Sequence, residues 1–307
     1  MAAYVLRRLI LLVPIWFGIL ILVFLMRVLV PGDPIQLMFA GQFSDPQVEA
    51  ALRHKYGLDR PLSTQFVDYV DGVLHGDLGE SITAQEPVTE LIKSHYPYTV
   101  VLTLTSLSIA LVIGMVTGVI SAIKKDTIID VISMVFALAG LSMPAFWLGL
   151  LLIYIFAVDL GWFPVLGSMT PMGLVLPSVT LGVIASAVTA RLVRATMLDA
   201  LNEDYVRTAR AKGISNLRVV ILHALRNALI PIVTIVGLQF GGLLSGAFIV
   251  EVVFAWHGVG ELAVNALKQR DFPLIQGIVL VVATTYVLVN LVVDLLYAVL
   301  DPRIAYK

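Results

Sequence analysis

Six long apolar segments alternate with polar ones along this chain, and they set the expected fold class. They span residues 9–30, 99–122, 128–158, 174–196, 229–254 and 274–300. Each is long enough to cross the hydrocarbon core of a bilayer, which takes about 20 residues in a helix. Backbone groups at that depth find no water, so a chain of this pattern must satisfy them within helices. The pattern therefore predicts an all-α polytopic membrane protein with six transmembrane helices.

The composition agrees with a membrane protein and excludes several other classes. The 307 residues are 59% hydrophobic and 13% charged, with a mean hydropathy of +0.95, whereas soluble domains average about 25% charged residues. A chain this apolar is expected to be surrounded by membrane lipid. Its net charge of −1 indicates no nucleic-acid partner. Cysteine is absent and the five histidines are scattered, which excludes disulfides and thiol catalysis and leaves no expected metal site.

The first apolar segment follows Arg7 and Arg8, as in a signal peptide. It is longer than a signal-peptide core, and no small-residue cleavage motif follows it. Residues 1–30 are therefore interpreted as an uncleaved transmembrane anchor. With this N-terminus inside, most of the 20 Lys and Arg residues fall on the same side. The positive-inside rule then predicts that both termini are cytoplasmic.

Two polar stretches divide the rest of the chain. Residues 31–96 are too polar to cross the membrane and form an extracytoplasmic loop region. They are either a small packed cap or a docking platform for an external partner. Residues 97–307 form a five-helix core, whose cytoplasmic loop at 199–228 is rich in Arg and Lys. A polar loop between two spans is where such a protein meets soluble partners.

The cytoplasmic loop predicts a short helix over residues 204–212. Asn202, Glu203 or Asp204 stands at its N-terminal end, and Gly213 ends it. Ala209 and Gly213 lie one turn apart, so they leave a small face that a neighbouring backbone approaches. The loop also carries cations for acidic partner groups, namely Arg207, Arg210 and Lys212. The alternative is a positive-inside determinant or a surface helix on anionic lipid.

The loop sequences EDYVRTARAKG (203–213) and HALRNALIP (223–231) resemble the cytoplasmic loop of permeases from binding-protein-dependent ABC importers. The resemblance is closest to the dipeptide, oligopeptide, nickel and glutathione group. Supporting pieces follow in order along the whole chain, at residues 6–9, 31–34, 57–61, 76–79, 142–146, 270–273 and 292–297. Two positions depart from the usual pattern. Residues 207–209 lack the Glu of the general importer motif, and His257 stands where the peptide group usually has Pro.

The resemblance implies a type I ABC importer permease fold in the bacterial inner membrane. It implies three kinds of partner: a second homologous permease subunit, two ATP-binding subunits and an extracytoplasmic solute-binding protein. The predicted helix would sit in a cleft of an ATP-binding subunit and transmit its closure. The residues carrying this role are Glu203, Asp204, Tyr205, Arg207, Thr208, Ala209, Arg210, Lys212 and Gly213. The sequence has no G-x-x-x-x-G-K-[ST] motif. ATP and Mg²⁺ are therefore expected on the partner subunits, with no cofactor on this chain.

Two of the apolar segments supply candidates for a translocation path. Pro144 lies in the middle of the third segment and predicts a kink, either for packing or to line the path. In the fifth segment, which Pro231 is expected to open, G-x-x-x-G pairs at 237/241 and 242/246 indicate either contacts within one subunit or a subunit seam. The path candidates are Ser142, Met143, Pro144, Phe146, Gln239, Gly242 and Ser245. The acids Glu251 and Asp294, near segment ends, are expected to be capped or to reach the interface.

Three functions remain open at this point. The first is a permease subunit that imports short peptides or glutathione by alternating access, with nickel chelates as an alternative solute. The second is an autonomous secondary carrier, which predicts inverted repeats and buried ionisable residues at the midplane. The third is a membrane enzyme, although the outer histidines have no evident catalytic partner. The sequence favours the first and does not identify the solute, or show whether the permease pairs with itself or a sibling.

Overall fold

The computed structural model describes residues 2–29, 46–55 and 57–300. Its helices, numbered in chain order, are α1 (Ala2–Leu29), α2 (Pro46–Lys55), α3 (Leu62–Leu74), α4 (Val88–Ile123), α5 (Ile128–Ser142), α6 (Ala145–Leu152), α7 (Pro171–Asn202), α8 (Asp204–Ala211), α9 (Asn216–Arg218), α10 (Arg226–Val253), α11 (Val259–Gln269) and α12 (Phe272–Leu300). Two π-helical segments, Ile153–Asp159 and Val219–Leu225, follow α6 and α9. No strand forms within these ranges, which confirms the all-α fold class.

The described helices provide four to six candidate membrane crossings. Four are single helices, namely Leu6–Met26, Val88–Ile123, Pro171–Asn202 and Phe272–Leu296. Two more arise if each of two bent pairs forms one crossing: Ile128–Ser142 with Ala145–Asp159, and Asn216–Leu229 with Pro231–Leu244. The count of six crossings and the cytoplasmic placement of the termini stay predictions. The piece of the family resemblance at 31–34 and the C-terminal residues 301–307 lie outside the described residues.

The centre of the fold is the long contact between α4 and α7. Glycines on both helices let the two backbones approach closely, as small residues do in membrane helices. A Cβ added at Gly118 would lie 2.6 Å from the Val193 Cβ and 2.7 Å from the Ala190 carbonyl oxygen. A Cβ at Gly182 would lie 2.9 Å from the Ser106 carbonyl oxygen. These contacts fix α4 and α7 as one rigid pair.

The N-terminal helix α1 lies at the edge of this core and packs on α12. Arg8 pairs with Asp294 at 2.8 Å, an ion pair where the sequence predicted that Asp294 would be capped or reach the interface. Further along, the Gln276 amide nitrogen donates to the Val23 carbonyl oxygen at 2.7 Å. The outer helix α3 contacts α1 through Phe66, whose ring centroid lies 5.2 Å from that of Phe24. At least this part of the outer segment is packed as a cap.

The prediction of one kinked helix over residues 128–158 is wrong. The chain leaves the helical conformation at Met143 (φ −86°, ψ 127°), and the axes on either side differ by 103°. The physical reason is the ring of Pro144, which disfavours the α conformation in the residue before it. Pro144 therefore separates α5 from α6 and precedes the first residue of α6. The third apolar segment, called the broken span below, is therefore two helices joined at a sharp bend.

The expectation that Pro231 opens the fifth segment is also wrong. Helix α10 begins at Arg226, so Pro231 lies inside it, one turn from its start. Proline removes one backbone hydrogen bond within a helix and bends it. The axis bends by 53° between Asn216–Leu229 and Pro231–Leu244. The loop predicted at 199–228 thus continues into α10 through helical turns, without an extended linker.

Candidate functional site

The predicted helix between the fourth and fifth segments is present as α8 (Asp204–Ala211). Glu203 precedes it in an extended conformation (φ −68°, ψ 150°), and the acid Asp204 in the first turn suits the positive end of the helix dipole. Gly213 follows with φ +78°, a left-handed conformation that glycine adopts without strain. Its N–H donates to the Arg210 carbonyl oxygen at 2.9 Å. No side-chain hydrogen bond caps the N-terminal end, whereas Gly213 follows the C-terminal end as the sequence predicted.

The inner face of α8 attaches it to its own chain. Val206 is fully buried and Ala209 is 7% exposed. Both pack with Val219 and Ile214 from the segment that follows. The expected small face shared by Ala209 and Gly213 is therefore wrong, because Ala209 faces inward with Val206, three residues away on the helix. Only Gly213 is open, since an added Cβ there would meet nothing within 4 Å.

The outer face of α8 is polar, aromatic and cationic. Tyr205 is 38% exposed. Arg207 is 75% exposed and lies 3.6 Å from Asp204, a surface pair of the kind that contributes little stability. The side chains of Glu203, Thr208, Arg210 and Lys212 are exposed as well. This face is available for contact with another macromolecule.

A cleft separates α8 from the ends of the core helices. Its volume is about 390 Å³, and Lys125, Asn202, Arg210 and Asn216 line it with apolar residues of α4 and α7. Only Glu203 intervenes between the last residue of α7 and the first of α8. Val219, which packs against α8, begins the π-helical segment that leads into α10. A displacement of α8 therefore acts directly on α7 and on α10.

The candidates from the third segment lie together at the break. Ser142, Met143, Pro144 and Phe146 are all exposed on the surface of this chain, Met143 at 37% and Phe146 at 46%. The Ser142 hydroxyl donates to the Leu138 carbonyl oxygen at 3.0 Å. They form one accessible patch where the chain turns between α5 and α6. Their contact with a transported solute stays a prediction.

Gln239 lies between helices of the same chain. Its amide nitrogen donates to the Ala185 carbonyl oxygen at 3.1 Å, and its amide oxygen accepts from the Thr189 hydroxyl at 3.1 Å. The side chain thus joins α10 to α7. This agrees with the interpretation that the fifth segment makes contacts within one subunit. A role for Gln239 in the path stays a prediction and would require these bonds to exchange.

The glycine pairs of the fifth segment divide between two surroundings. Gly237 and Gly241 face α12, where an added Cβ at Gly241 would lie 2.7 Å from the Tyr286 ring. Gly242 is exposed, and a Cβ there would meet nothing within 4 Å. The first pair is therefore a contact within this chain, and Gly242 points away from it. The side chains of Ser245 and Gly246 lie outside the described residues.

Two buried acidic groups were not singled out as functional by the sequence. Glu251 is fully buried and accepts hydrogen bonds from the Thr99 hydroxyl (2.7 Å) and the Gly260 N–H (2.7 Å). Of the two expectations for Glu251, capping is confirmed and snorkelling is wrong. Asp130, 4% exposed, forms a bidentate pair with Arg194. The sequence feature that could have identified both is an acidic residue inside an apolar stretch. A carboxylate buried there requires hydrogen-bonding or charged partners.

Comparison with known proteins places this arrangement in a family. The family described as "Binding-protein-dependent transport system inner membrane component" matches residues 114–306, and its N-terminal component matches residues 1–103. The chain belongs to this family. It is accordingly a permease component of a binding-protein-dependent transport system in the inner membrane, as the sequence resemblance indicated.

Similar family members are known by sequence and by structure. The chain is 47% identical over 307 residues to the glutathione transport system permease protein GsiC of Escherichia coli K12. It is 43% identical to the di/tripeptide transport system permease protein DppB of Pseudomonas aeruginosa UCBPP-PA14. Both alignments cover 100% of each chain.

The inward-facing methionine ABC transporter MetNI matches in structure with a TM-score of 0.60 and 19% identity, covering 69% of this chain and 96% of that one. An amino acid ABC transporter with histidines matches at a TM-score of 0.53 and 19% identity, covering 70% and 94%. These two structures confirm the ABC importer permease fold.

Proposed function

We propose that this chain is one permease subunit of an ATP-driven importer that moves short peptides or glutathione inward by alternating access. Its proposed partners are a second, homologous permease subunit, two ATP-binding subunits and an extracytoplasmic solute-binding protein. The family membership supports binding-protein-dependent transport. The division of labour and the numbers of subunits belong to the proposal.

The observation that carries the proposal is the two-faced geometry of α8. One face, with Val206 and Ala209, is buried against the chain, and the other presents Tyr205 and the Arg and Lys side chains. A helix fixed on one side and open on the other is suited to sit in a groove of a soluble subunit. Because α8 joins α7 almost without a linker, force on it reaches the spans. These features favour a coupling helix over a surface helix on lipid.

The energy source is assigned to the partner subunits. The sequence lacks the Gly-rich phosphate loop with its Lys and Ser or Thr. The proposal therefore places ATP and Mg²⁺ on the ATP-binding subunits and assigns no catalytic activity to this chain. Its contribution is a path that opens alternately to the two sides of the membrane.

The choice of solute follows from the relatives. One relative is named for glutathione and another for di- and tripeptides. Glutathione is itself a tripeptide, so both names describe small peptides. The test is uptake into proteoliposomes that hold the whole complex, with the cognate binding protein outside and labelled dipeptide, tripeptide or glutathione. Uptake of a nickel chelate and of no peptide would contradict this choice.

Co-purification tests the role of α8 directly. We expect Gly213→Asp to abolish co-purification with the ATP-binding subunits, because it strains a backbone at φ +78° and puts a negative charge on the cationic face. Gly161→Asp is the matched control, since Gly161 also has a positive φ (+64°) and open space around it. The control tests the same backbone strain at a distance from α8. Co-purification that survives Gly213→Asp would contradict the docking role.

A further inference from the structure

Helix α5 packs on α4 and α7 along one face, and its two most deeply buried residues lie near its two ends. Only two of its 15 residues are buried, Asp130 in the first turn and Gly140 near the last. Several apolar side chains between them face outward, Phe136 for example being 75% exposed, whereas others such as Met134 and Ala137 are half-buried. A Cβ at Gly140 would lie 3.6 Å from the Val183 carbonyl oxygen of α7. Asp130 and Gly140 lie ten residues apart, about 15 Å along a helix.

The attachment at the first end is a bidentate ion pair. The Arg194 Nε donates to Asp130 Oδ1 at 2.8 Å and its Nη2 donates to Oδ2 at 2.7 Å. The Ser121 hydroxyl of α4 and the Asp126 N–H complete the set, the latter at 3.1 Å. Four donors thus hold one carboxylate, which also sits at the positive end of the α5 dipole. This fork fixes both the position and the rotation of α5 relative to α7.

The pair lies between the proposed coupling helix and the broken span. Arg194 precedes Asn202, the last residue of α7, by eight residues, about 12 Å of helix. Beyond Asn202, only Glu203 separates α7 from α8. On the other side, α5 runs from Asp130 to the break at Met143–Pro144. A movement of α8 that tilts α7 must therefore displace α5 at the ion pair.

We propose that the Asp130–Arg194 ion pair is a positioning element that transmits movement of α8 through α7 to the broken span. This inference rests on the proposed function, because it needs α8 to be driven by ATP-binding subunits. It assigns to neither residue a contact with the solute. The pair sets where the patch at Ser142–Phe146 stands when α8 moves.

Stability alone does not account well for a pair of this kind. A buried ion pair loses hydration on both partners, and apolar replacements of similar volume are often as stable or more so. The outward face of α5 is apolar and makes few contacts that would define its rotation. A fork of two parallel hydrogen bonds defines that rotation, which matters for a helix that must follow its neighbour.

The experiment is reconstitution of the complete transporter, with measurement of peptide imported per ATP hydrolysed. Asp130→Asn keeps the shape and removes the charge that holds Arg194. We expect the import-to-hydrolysis ratio to fall about 2- to 30-fold, the range by which residues along a coupling route change coupling. Asp294→Asn is the matched control, because it breaks another 2.8 Å ion pair, to Arg8 on α1, outside the route. Its ratio should stay at the wild-type value.

The outcomes separate the two proposals. Absence of ATP-dependent uptake by the wild-type complex would contradict the proposed function. Normal uptake by the wild type together with an unchanged ratio in Asp130→Asn, or an equal fall in Asp294→Asn, would overturn the inference about the ion pair.

A second variant distinguishes a positioning role of the ion pair from a purely structural one if Asp130→Asn fails to assemble. Arg194→Lys keeps the positive charge and the pairing but loses the two-point fork. The positioning role predicts an assembled complex with a lowered import-to-hydrolysis ratio. If Arg194→Lys assembles with the wild-type ratio, or if both variants fail to assemble, the pair is a structural anchor only and the inference is wrong.

Discussion

Replacement of Glu251 by Leu tests how the α10–α11 junction is held together. The carboxylate is fully buried and accepts from the Thr99 hydroxyl (2.7 Å), the Gly260 N–H (2.7 Å) and the Glu261 N–H (3.1 Å). Leucine has a similar volume but accepts no hydrogen bond. The change therefore removes the acceptor without opening a large cavity.

The magnitude follows from the donors that are left behind. Once the carboxylate is replaced, the Thr99 hydroxyl of α4 is expected to donate to the carbonyl oxygen one turn earlier in its helix, as Thr does in helices. The buried Gly260 N–H has no such alternative and costs about 1–3 kcal/mol when unpaired. Loss of a negative charge at the α11 N-terminus adds about 1 kcal/mol. We expect a net destabilisation of about 2–4 kcal/mol, the sum of these two contributions.

The assay is the fraction of purified protein in detergent that stays monodisperse after heating, since membrane proteins often unfold irreversibly. Glu251→Leu should lose monodispersity at a clearly lower temperature than the wild type. Glu251→Gln should be milder, because its amide oxygen still accepts from the Gly260 N–H. Glu261→Gln is the control, because it removes a first-turn charge of α11 without a buried acceptor, and it should cost no more than about 1 kcal/mol. A Glu251→Leu protein as stable as the wild type would mean that relief of carboxylate desolvation outweighs the lost hydrogen bonds, and would refute this reasoning.

Two further changes test the packing contacts. Gly118→Ala should destabilise the protein by about 1–3 kcal/mol in the same heating assay, because its Cβ would lie 2.6 Å from the Val193 Cβ; Gly18→Ala, with nothing within 4 Å, is the matched control and should be neutral or slightly stabilising. Asp271→Ala should speed protease cleavage in the turn at residues 81–84, whose Ser and Thr hydroxyls donate to that carboxylate at 2.6 and 2.8 Å. Unchanged cleavage would show that other contacts hold the turn.

Local patterns in the sequence were sufficient for the fold class and for the ends of α8. The apolar segments predicted the class because apolar length and backbone hydrogen bonding leave few alternatives in a bilayer. The polar residues at 202–204 and Gly213 predicted where α8 begins and ends, because helix ends depend on neighbours within a few residues. Such features depend only on residues that are close in the sequence, so they can be predicted from the sequence alone.

The errors occurred where a local feature has two structural outcomes. Pro144 allows either a kinked continuous helix or a break, and the 103° bend depends on what α6 packs against, including Phe254 beside Gly149. Ala209 fits either an outward small face or an inward contact. In the structure Ala209 faces inward because it packs against Val219, ten residues further along the chain. Tertiary packing made these choices, and spacing within one segment could not predict them.

The buried acids show why the joints of this fold are harder to predict than its helices. Asp130, Glu251 and Asp271 are the acidic side chains that are buried among the described residues, and each lies at or near a helix end. Their partners Arg194, Thr99 and Ser81 are 64, 152 and 190 positions away in the sequence. Long apolar faces and glycines bring the helices together without directional bonds. Each carboxylate then fixes one junction by hydrogen bonds whose direction matters. Close backbone packing and a few polar points together hold the helices, and the polar points fix the junctions where apolar faces alone give no direction.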